Sequence, residues 1–539
     1  MELKKQSLWI CTAAVCGLIG AAVLAWSMKL GAGIGGDATI YITSARNLLA
    51  GKGLGLINAA GDFRLIPYFP PFYSLILACC GLFRADLSVA ALILNLVFFA
   101  GTVYMVTHWT LDVTERLFPA LTLGLLFAGS PILIPAYSWA MSEPPAIFTG
   151  FLGLILLEKG LMRDDRKAFC GSAVCLGLSF LTRYSSAAFI GAAVILIFFF
   201  GAETLKERFG KAFLYGLAAV IPMAVWLVID FSKTGTVSSR SVLSGKTAEL
   251  WAAFLPKIRH VFTLWILPES LMNGLPDLLA SLVSLFMVLL PLGVVAGAAL
   301  SLKNGTEYPR YAFMMFLLSV FILLYDLLIV YVSLNTYPPI TINTRMLLPV
   351  YIAEFWLIFL LFALMGEYDF RPARRLVFNT ALFLFMLFSC LRGVRIARQN
   401  AIDGLGYHSV SWQNSETIAY LRDRDLASAG EIVTNEETAL LYLLDCRSWP
   451  MHEVYVSEPD TDYYAYTGGT GIENDPGRQL FRDGKAYLVV FDSFEDQMAD
   501  IYGDDTQRRI DSLFADLNVL YDGDDGTIYI RDKAPGAAE

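Results

Sequence analysis

Two carboxylates border hydrophobic segments, where a charge is costly unless it has a partner or a task. Asp37 stands in Gly35-Gly36-Asp37-Ala38, shortly after the first hydrophobic segment. Glu143 stands in Ser142-Glu143-Pro144-Pro145, at the start of another such segment. Either acid could simply stabilise the first turn of a helix. Two carboxylates on one face of a membrane could also activate a hydroxyl group or hold a divalent cation.

Three arginines are candidates for binding an anion on the same side. Arg183 interrupts a strongly apolar stretch, Arg345 immediately precedes another, and Arg240 lies in a polar loop. Such an arginine can merely extend its guanidinium to the membrane surface. A guanidinium also pairs with phosphate oxygens through two parallel hydrogen bonds. Acids that activate a nucleophile and arginines that stabilise an anionic leaving group together indicate group transfer from a phosphate.

The composition is that of a polytopic membrane protein. Of the 539 residues, 56% are hydrophobic and only 17% are charged, against about 25% charged in an average soluble domain. The net charge of −9, with no basic tract interleaved with aromatics, argues against nucleic acid as a partner. Neither CxxC nor HExxH spacing occurs, so the sequence identifies no metal site and no certain cofactor.

We predict about eleven transmembrane helices, because a crossing needs ~20 apolar residues. The predicted spans are 7–28, 86–107, 117–135, 143–158, 168–182, 186–201, 212–230, 276–300, 311–333, 346–365 and 376–394. Lysines and arginines concentrate in alternate short loops, which predicts a cytoplasmic N-terminus. Asp37, Glu143 and the three arginines then all face the outside of the cytoplasmic membrane, as does everything after residue 395.

Two domains are expected. Residues 1–395 would form the membrane module, whose external loop 29–85 carries two interfacial helices, at 37–50 and 72–83. Residues 396–539 would form a small soluble α/β domain outside the membrane. Its predicted strands are 431–433, 486–491 and 527–530, and its predicted helices are 414–427 and 506–517. The sequence 523–526 is typical of a tight turn.

Several of these pieces, in their order and placement, resemble the GT-C superfamily of polytopic glycosyltransferases. Within it, they resemble the branch of protein O-mannosyltransferases, aminoarabinose transferases and bacterial cell-envelope transferases. The resemblance spans about residues 7–365. It rests on these segments: Gly36-Asp37 with Tyr41; Leu48-Leu49-Ala50-Gly51-Lys52-Gly53; Pro70-Pro71-Phe72-Tyr73; Ser142-Glu143-Pro144; 177–183; and Asn343-Thr344-Arg345-Met346-Leu347-Leu348-Pro349.

The resemblance implies an inverting glycosyltransferase. It would move a sugar from a polyprenyl-phosphate donor to a glycan, lipid or protein acceptor outside the cytoplasmic membrane. Asp37 would be the catalytic base, and Glu143 would be the second catalytic carboxylate. Arg183, Arg240 and Arg345 would bind the donor phosphate, and Tyr41 and Tyr73 would line the cavity. The metal requirement stays open, with a divalent cation as one option. The alternative is a transporter or flippase that moves a lipid-linked sugar without chemistry.

Overall fold

The chain is largely helical. The structure is a computed structural model that describes residues 2–65, 69–235, 241–242, 247–272, 274, 276–306, 308–337, 342–365, 372–451, 476–502, 506–514, 517–531 and 535. In chain order, the first sixteen helices are α1 (Glu2–Ser27), α2 (Gly36–Leu49), α3 (Phe72–Leu82), α4 (Leu87–Thr114), α5 (Leu117–Ala128), α6 (Leu133–Tyr137), α7 (Glu143–Met162), α8 (Arg166–Thr182), α9 (Ala187–Phe200), α10 (Leu205–Thr234), α11 (Thr247–Ile266), α12 (Glu269–Met272), α13 (Asp277–Lys303), α14 (Pro309–Asn335), α15 (Leu348–Met365) and α16 (Pro372–Asp403).

The remaining helices and the strands are shorter. The helices are α17 (Val410–Gln413), α18 (Glu416–Asp423), α19 (Leu426–Ala429), α20 (Glu437–Leu444), α21 (Pro476–Arg482), α22 (Ser493–Tyr502) and α23 (Thr506–Phe514). The strands are β1 (Leu56–Ile57), β2 (Phe63–Arg64), β3 (Ser241–Val242), β4 (Thr336–Tyr337), β5 (Glu431–Thr434), β6 (Trp449–Pro450), β7 (Ala486–Phe491), β8 (Asn518–Gly523) and β9 (Gly526–Ile530).

Ten of the eleven predicted spans each correspond to one helix of the structure, whereas the span 117–135 covers α5, a break at 129–132 and the start of α6. Eight helices in the described part of the chain are long and apolar enough to cross a membrane. They are α1, α4, α7, α10, α13, α14, α15 and α16. The other three predicted spans correspond to the shorter helices α5, α8 and α9. The protein is therefore the polytopic α-helical membrane protein that the hydropathy predicts.

The chain divides into two compact units. The first comprises Met1–Ala32 and Pro67–Ile402, and the second comprises Gly33–Ile66 and Asp403–Glu539. In the first unit, α14 and α15 are the most buried long helices, whereas α13 leaves most of its apolar surface exposed. Small residues allow close helix packing: a Cβ added at Gly153 of α7 would lie 2.3 Å from the side chain of Leu176 in α8.

The second unit contains a five-stranded sheet with the strand order β6-β5-β7-β9-β8. Strand β5 is parallel to both β6 and β7, while β9 runs antiparallel to β7 and β8. Every residue of β7 is buried, so apolar layers cover both faces of the sheet. Tyr487, Val489 and Phe491 contribute to one layer, and Leu488 and Val490 to the other. This is the predicted small α/β domain.

Strands β8 and β9 form a hairpin in which Gly523 pairs with Gly526. The predicted tight turn is thereby confirmed. Its Asp525 carboxylate accepts hydrogen bonds from the backbone N–H of Thr417, at 3.0 Å, and from the hydroxyls of Ser415 and Thr417. The carboxylate therefore caps α18 from outside that helix. A structural role thus accounts for this acid.

Helix α2, in the first external loop of the predicted topology, belongs to the second unit. It packs against α20, and the Arg46 guanidinium lies 5.9 Å from the centroid of the Tyr442 ring. The Tyr407 N–H donates to the Ile34 carbonyl at 2.8 Å, just before α2 begins. The Tyr442 hydroxyl also hydrogen bonds to His408 Nε2 at 2.9 Å. Residues far apart in sequence thus hold this loop helix on the C-terminal domain.

Candidate functional site

The site forms around Glu143, the first residue of α7. Pro144 and Pro145 follow it in the first turn, where their missing N–H groups cost no hydrogen bond. The preceding loop is fixed by Asn95 of α4, whose side-chain amide donates to the carbonyls of Tyr137 and Trp139 at 2.8 and 2.7 Å. Local sequence and one buried asparagine therefore place the Glu143 carboxylate at a defined end of the bundle.

Arg183 approaches Glu143 from the break between two helices. Helix α8 ends at Thr182, and Arg183 adopts an extended backbone before a short 3-10 turn leads into α9. Its Nη1 lies 2.9 Å from Glu143 Oε1 and also donates to the Ser142 hydroxyl at 3.0 Å. The predicted interruption at Arg183 is thus a real helix break, and it presents the guanidinium to the start of α7.

Arg345 reaches the same carboxylate from the loop before α15. Its Nε lies 2.8 Å from Glu143 Oε1, the oxygen that also pairs with Arg183. The loop is held by Tyr325 of α14, whose hydroxyl donates to the Met346 carbonyl at 2.8 Å. Three segments that are distant in sequence therefore meet at one carboxylate oxygen.

The burial of the three side chains is graded. The Glu143 side chain is 3% exposed, that of Arg183 19% and that of Arg345 36%. A single carboxylate thus lies behind two guanidiniums that keep part of their surface open to a narrow cleft. Ser185, Tyr325 and Phe189 also line this cleft. Among the described residues that line this cleft, two are positively charged and one is negatively charged, which suits an anion.

The other predicted site residues are placed as follows. Asp37 is half-buried in the first turn of α2, and Tyr41 is buried in the same helix of the second unit. Tyr73 belongs to the first unit and is fully buried in α3, which packs against α4 and α8. Arg240 lies outside the described residues. The structure therefore unites Glu143, Arg183 and Arg345 among the predicted set.

Three carboxylates within apolar helices were missed by the sequence analysis. Asp230 of α10 and Glu354 of α15 are buried, and Asp326 lies within α14. The signal was present, since an acid inside a hydrophobic run is rare and is a candidate functional residue by default. Tyr325 could not have been found in this way, because a tyrosine in an apolar helix is ordinary.

A second ionic cluster occupies the opposite end of α7. Glu158 Oε1 lies 2.9 Å from Arg310 Nε, and Asp112 Oδ2 lies 2.8 Å from Arg310 Nη2 and 2.7 Å from Arg163 Nη2. At ~1.5 Å per residue, the helix separates Glu158 from Glu143 by about 22 Å. The two clusters therefore mark the two ends of the membrane bundle.

Within the residues that the structure describes, no three His, Cys, Asp or Glu side chains are grouped as a metal site requires.

Several solved structures are similar to this chain at low sequence identity. The archaeal oligosaccharyltransferase AglB from Archaeoglobus fulgidus, in complex with an inhibitory peptide and a dolichol-phosphate, is 11% identical to this chain, with a TM-score of 0.51. The match covers 98% of this chain and 74% of that one. ArnT from Cupriavidus metallidurans, bound to undecaprenyl phosphate, is 12% identical, with a TM-score of 0.45 and coverage of 96% and 97%. The arabinofuranosyltransferase AftD from Mycobacteria is 14% identical, with a TM-score of 0.47 and coverage of 89% and 36%.

No protein-family model and no curated protein matches the chain. At these low identities, the likeness to AglB shows the fold and not the chemistry. The chain is a polytopic membrane protein with the GT-C fold. The predicted resemblance to that superfamily is confirmed at the level of architecture.

Proposed function

We propose that the protein transfers a sugar from a polyprenyl-phosphate donor to an acceptor hydroxyl at the Glu143 end of the bundle. The observation that carries this proposal is the convergence of Arg183 and Arg345 on Glu143 Oε1, at 2.9 and 2.8 Å. The carboxylate positions both guanidiniums, and both arginine side chains keep part of their surface exposed, where a phosphate can approach them. A fixed pair of guanidiniums needs no rearrangement to receive that anion.

The orientation of the bundle supports a reaction outside the cytoplasm. The loops at the far end, between α4 and α5, α7 and α8, α9 and α10, α13 and α14, and α15 and α16, are basic. Arg116 and Arg163 lie in these loops, and the helix ends beside them carry Arg166, Lys206, Arg208, Lys303 and Arg375. We call this the basic end. Short basic loops face the cytoplasm in most polytopic proteins, which supports an outward-facing Glu143 end.

The reaction follows from this arrangement as a single displacement. The acceptor oxygen forms a bond to the anomeric carbon while the bond from that carbon to the phosphate oxygen breaks. The electron pair of the broken bond stays on the carrier phosphate, where Arg183 and Arg345 offset the developing negative charge. Attack from the face opposite the leaving group inverts the configuration at the anomeric carbon.

The proton of the acceptor hydroxyl needs a base, and we propose Asp37. This role comes from the resemblance of Gly36-Asp37 to the acidic first loop of GT-C enzymes, and α2 keeps the side chain only half-buried. The proposed substrate-binding roles of Tyr41 and Tyr73 rest on segments of the same resemblance, and that of Arg240 rests on its predicted place in an outer loop. Glu143 would act through its two arginines, as a positioning residue, because both guanidiniums already bind its carboxylate.

The likeness to AglB supports a lipid phosphate as the donor carrier, since AglB was solved with a dolichol-phosphate. The test is to incubate the full-length protein with a panel of polyprenyl-phosphate sugars and candidate acceptors, and to measure released carrier phosphate. Release that depends on the acceptor supports the transferase. A flippase would move the intact donor across a vesicle membrane without releasing its phosphate, and that result would overturn the proposal.

A further inference from the structure

A second cavity lies at the basic end, on the side of the bundle opposite Glu143. It has a volume of about 260 Å³, near the lower limit of roughly 300 Å³ for ligand pockets. Its walls come from the start of α5, the end of α15 and the start of α16. The polar residues are Arg116, Arg375 and Asn379, and the apolar walls include Phe118, Phe362 and Phe378.

The chemistry of this cavity suits an anionic amphiphile. Its charged and polar groups are two guanidiniums and one amide, and no Asp or Glu is among the described residues that line it. The nearest acid in sequence, Glu115, is ion paired with Lys5. The rings of Phe362 and Phe378 pack with their centroids 5.6 Å apart and their planes tilted by 50°, and they contribute an apolar part of the lining. A phosphate group that carries a hydrocarbon chain would match both the polar groups and the aromatic lining of this cavity.

The position of the cavity indicates which kind of anionic ligand it binds. The end of α15 and the start of α16 bring it to the membrane surface at the basic end, and Phe118 and Phe378 are exposed there. Basic pockets between membrane helices on the cytoplasmic side recognise anionic lipid headgroups. A soluble phosphate compound would gain nothing from the exposed aromatic walls, which favours a lipid.

We propose that this cavity binds an anionic phospholipid of the inner leaflet. Its headgroup phosphate lies between Arg116 and Arg375, and an acyl chain runs along Phe118 and Phe378. The site is separate from the Glu143 end, so this proposal does not rest on the proposed glycosyl transfer. Its ligand would stay bound to an enzyme that lacks transferase activity.

Native mass spectrometry of the delipidated full-length protein tests the proposal, with phosphatidylglycerol and phosphatidylcholine added separately. Wild type should retain phosphatidylglycerol in preference to phosphatidylcholine. Arg116→Gln and Arg375→Gln should each weaken that binding roughly fivefold. Asn379→Asp, which adds a repelling carboxylate, should also weaken it. The matched control is Arg166→Gln, which removes an exposed arginine at the basic end outside the cavity and should bind like wild type.

Two results would overturn the proposal. One is equal retention of the two lipids, or equal loss in Arg166→Gln and the cavity variants, because binding would then reflect general surface charge. The other is displacement of phosphatidylglycerol by millimolar inorganic phosphate or glycerol phosphate, which would show a site for soluble anions. Thermal unfolding of each variant shows whether it is folded, and Asn379→Asp provides an independent test if an arginine variant is not.

Discussion

The Glu143 carboxylate and the Arg183 guanidinium, 2.9 Å apart, connect the start of α7 to the break between α8 and α9. The pair is more than a surface contact, because the carboxylate is almost completely buried. A buried carboxylate needs its cations, and those cations are thereby held in one geometry. Structure and proposed chemistry thus depend on the same interaction.

The first prediction concerns stability. Glu143→Gln leaves Arg183 and Arg345 without their shared anion, and removal of one partner from a buried ion pair costs roughly 3–5 kcal/mol. Because both arginines keep some exposure, we expect the lower end of this range. Thermal unfolding of the full-length protein in detergent should show a clear drop in midpoint. Glu203→Gln, at an exposed acid, serves as the control, and an equal midpoint for both variants would contradict the account.

The second prediction concerns proton transfer. Asp37→Asn keeps the size and the helix position of the side chain but removes the base. We expect release of carrier phosphate to fall by a factor of about 10²–10⁴, the usual contribution of a general base. The unfolding midpoint should stay close to that of wild type. Turnover near the wild-type rate at all pH values would remove Asp37 from the mechanism.

The third prediction concerns the first external loop. Tyr442→Ala removes the ring under Arg46 and the hydrogen bond to His408. Together these contacts contribute about 1–2 kcal/mol. Hydrogen exchange in the full-length protein should therefore accelerate across α2. The matched change Tyr420→Ala removes a ring that stacks on Tyr521 elsewhere in the same unit. Tyr420→Ala should leave exchange in α2 unchanged. If Tyr442→Ala also left it unchanged, the docking of α2 on α20 would be wrong.

The fourth prediction concerns pH. Burial raises the pKa of the Glu436 carboxyl above its usual value, against the lowering effect of hydrogen bonds from Ser493 and Tyr407. A carboxyl whose pKa is higher in the folded state favours folding most below its unfolded pKa. That contribution is lost as the pH rises through the folded pKa. The region around α20 should therefore be better protected from exchange near pH 5 than near pH 7.

The control for this prediction separates Glu436 from other acids. Glu436→Gln keeps an acceptor for Ser493 but cannot ionise, so the difference in protection between the two pH values should shrink once intrinsic exchange rates are corrected. Burial also raises the pKa of Glu437, so part of the pH dependence should remain. Glu495→Gln, at an exposed acid, should leave it intact. An unchanged pH dependence in Glu436→Gln would contradict the assignment.

Much of the membrane architecture could be predicted from hydropathy. A span such as 311–333 must form an apolar helix, and α14 covers it. The ends were harder to predict, because polar residues also continue helices: α10 begins at Leu205, well before the predicted 212. In the C-terminal domain, the apolar strand β7 was clear, whereas β8 was missed because Asn518, Asp522 and Gly523 hide its pattern.

The site could be predicted only in part. Arg183 and Arg345 stand out because a charge in or beside an apolar run needs a reason. Their contact with one oxygen of Glu143 depends on the tertiary structure, and no spacing in the sequence predicts it. The docking of α2 on α20 is of the same kind, since it depends on Tyr407 and Tyr442 far along the chain.

The most direct test of the central claim is the affinity of the full-length protein for a polyprenyl phosphate without sugar. We expect Arg183→Gln and Arg345→Gln each to weaken binding by about ten- to a hundredfold, the loss of a charge-assisted hydrogen bond of ~1.5–3 kcal/mol. Lys206→Gln, at the basic end, should bind as wild type does. Unchanged affinity in folded Arg183→Gln and Arg345→Gln proteins would contradict the assignment of these arginines to the carrier phosphate.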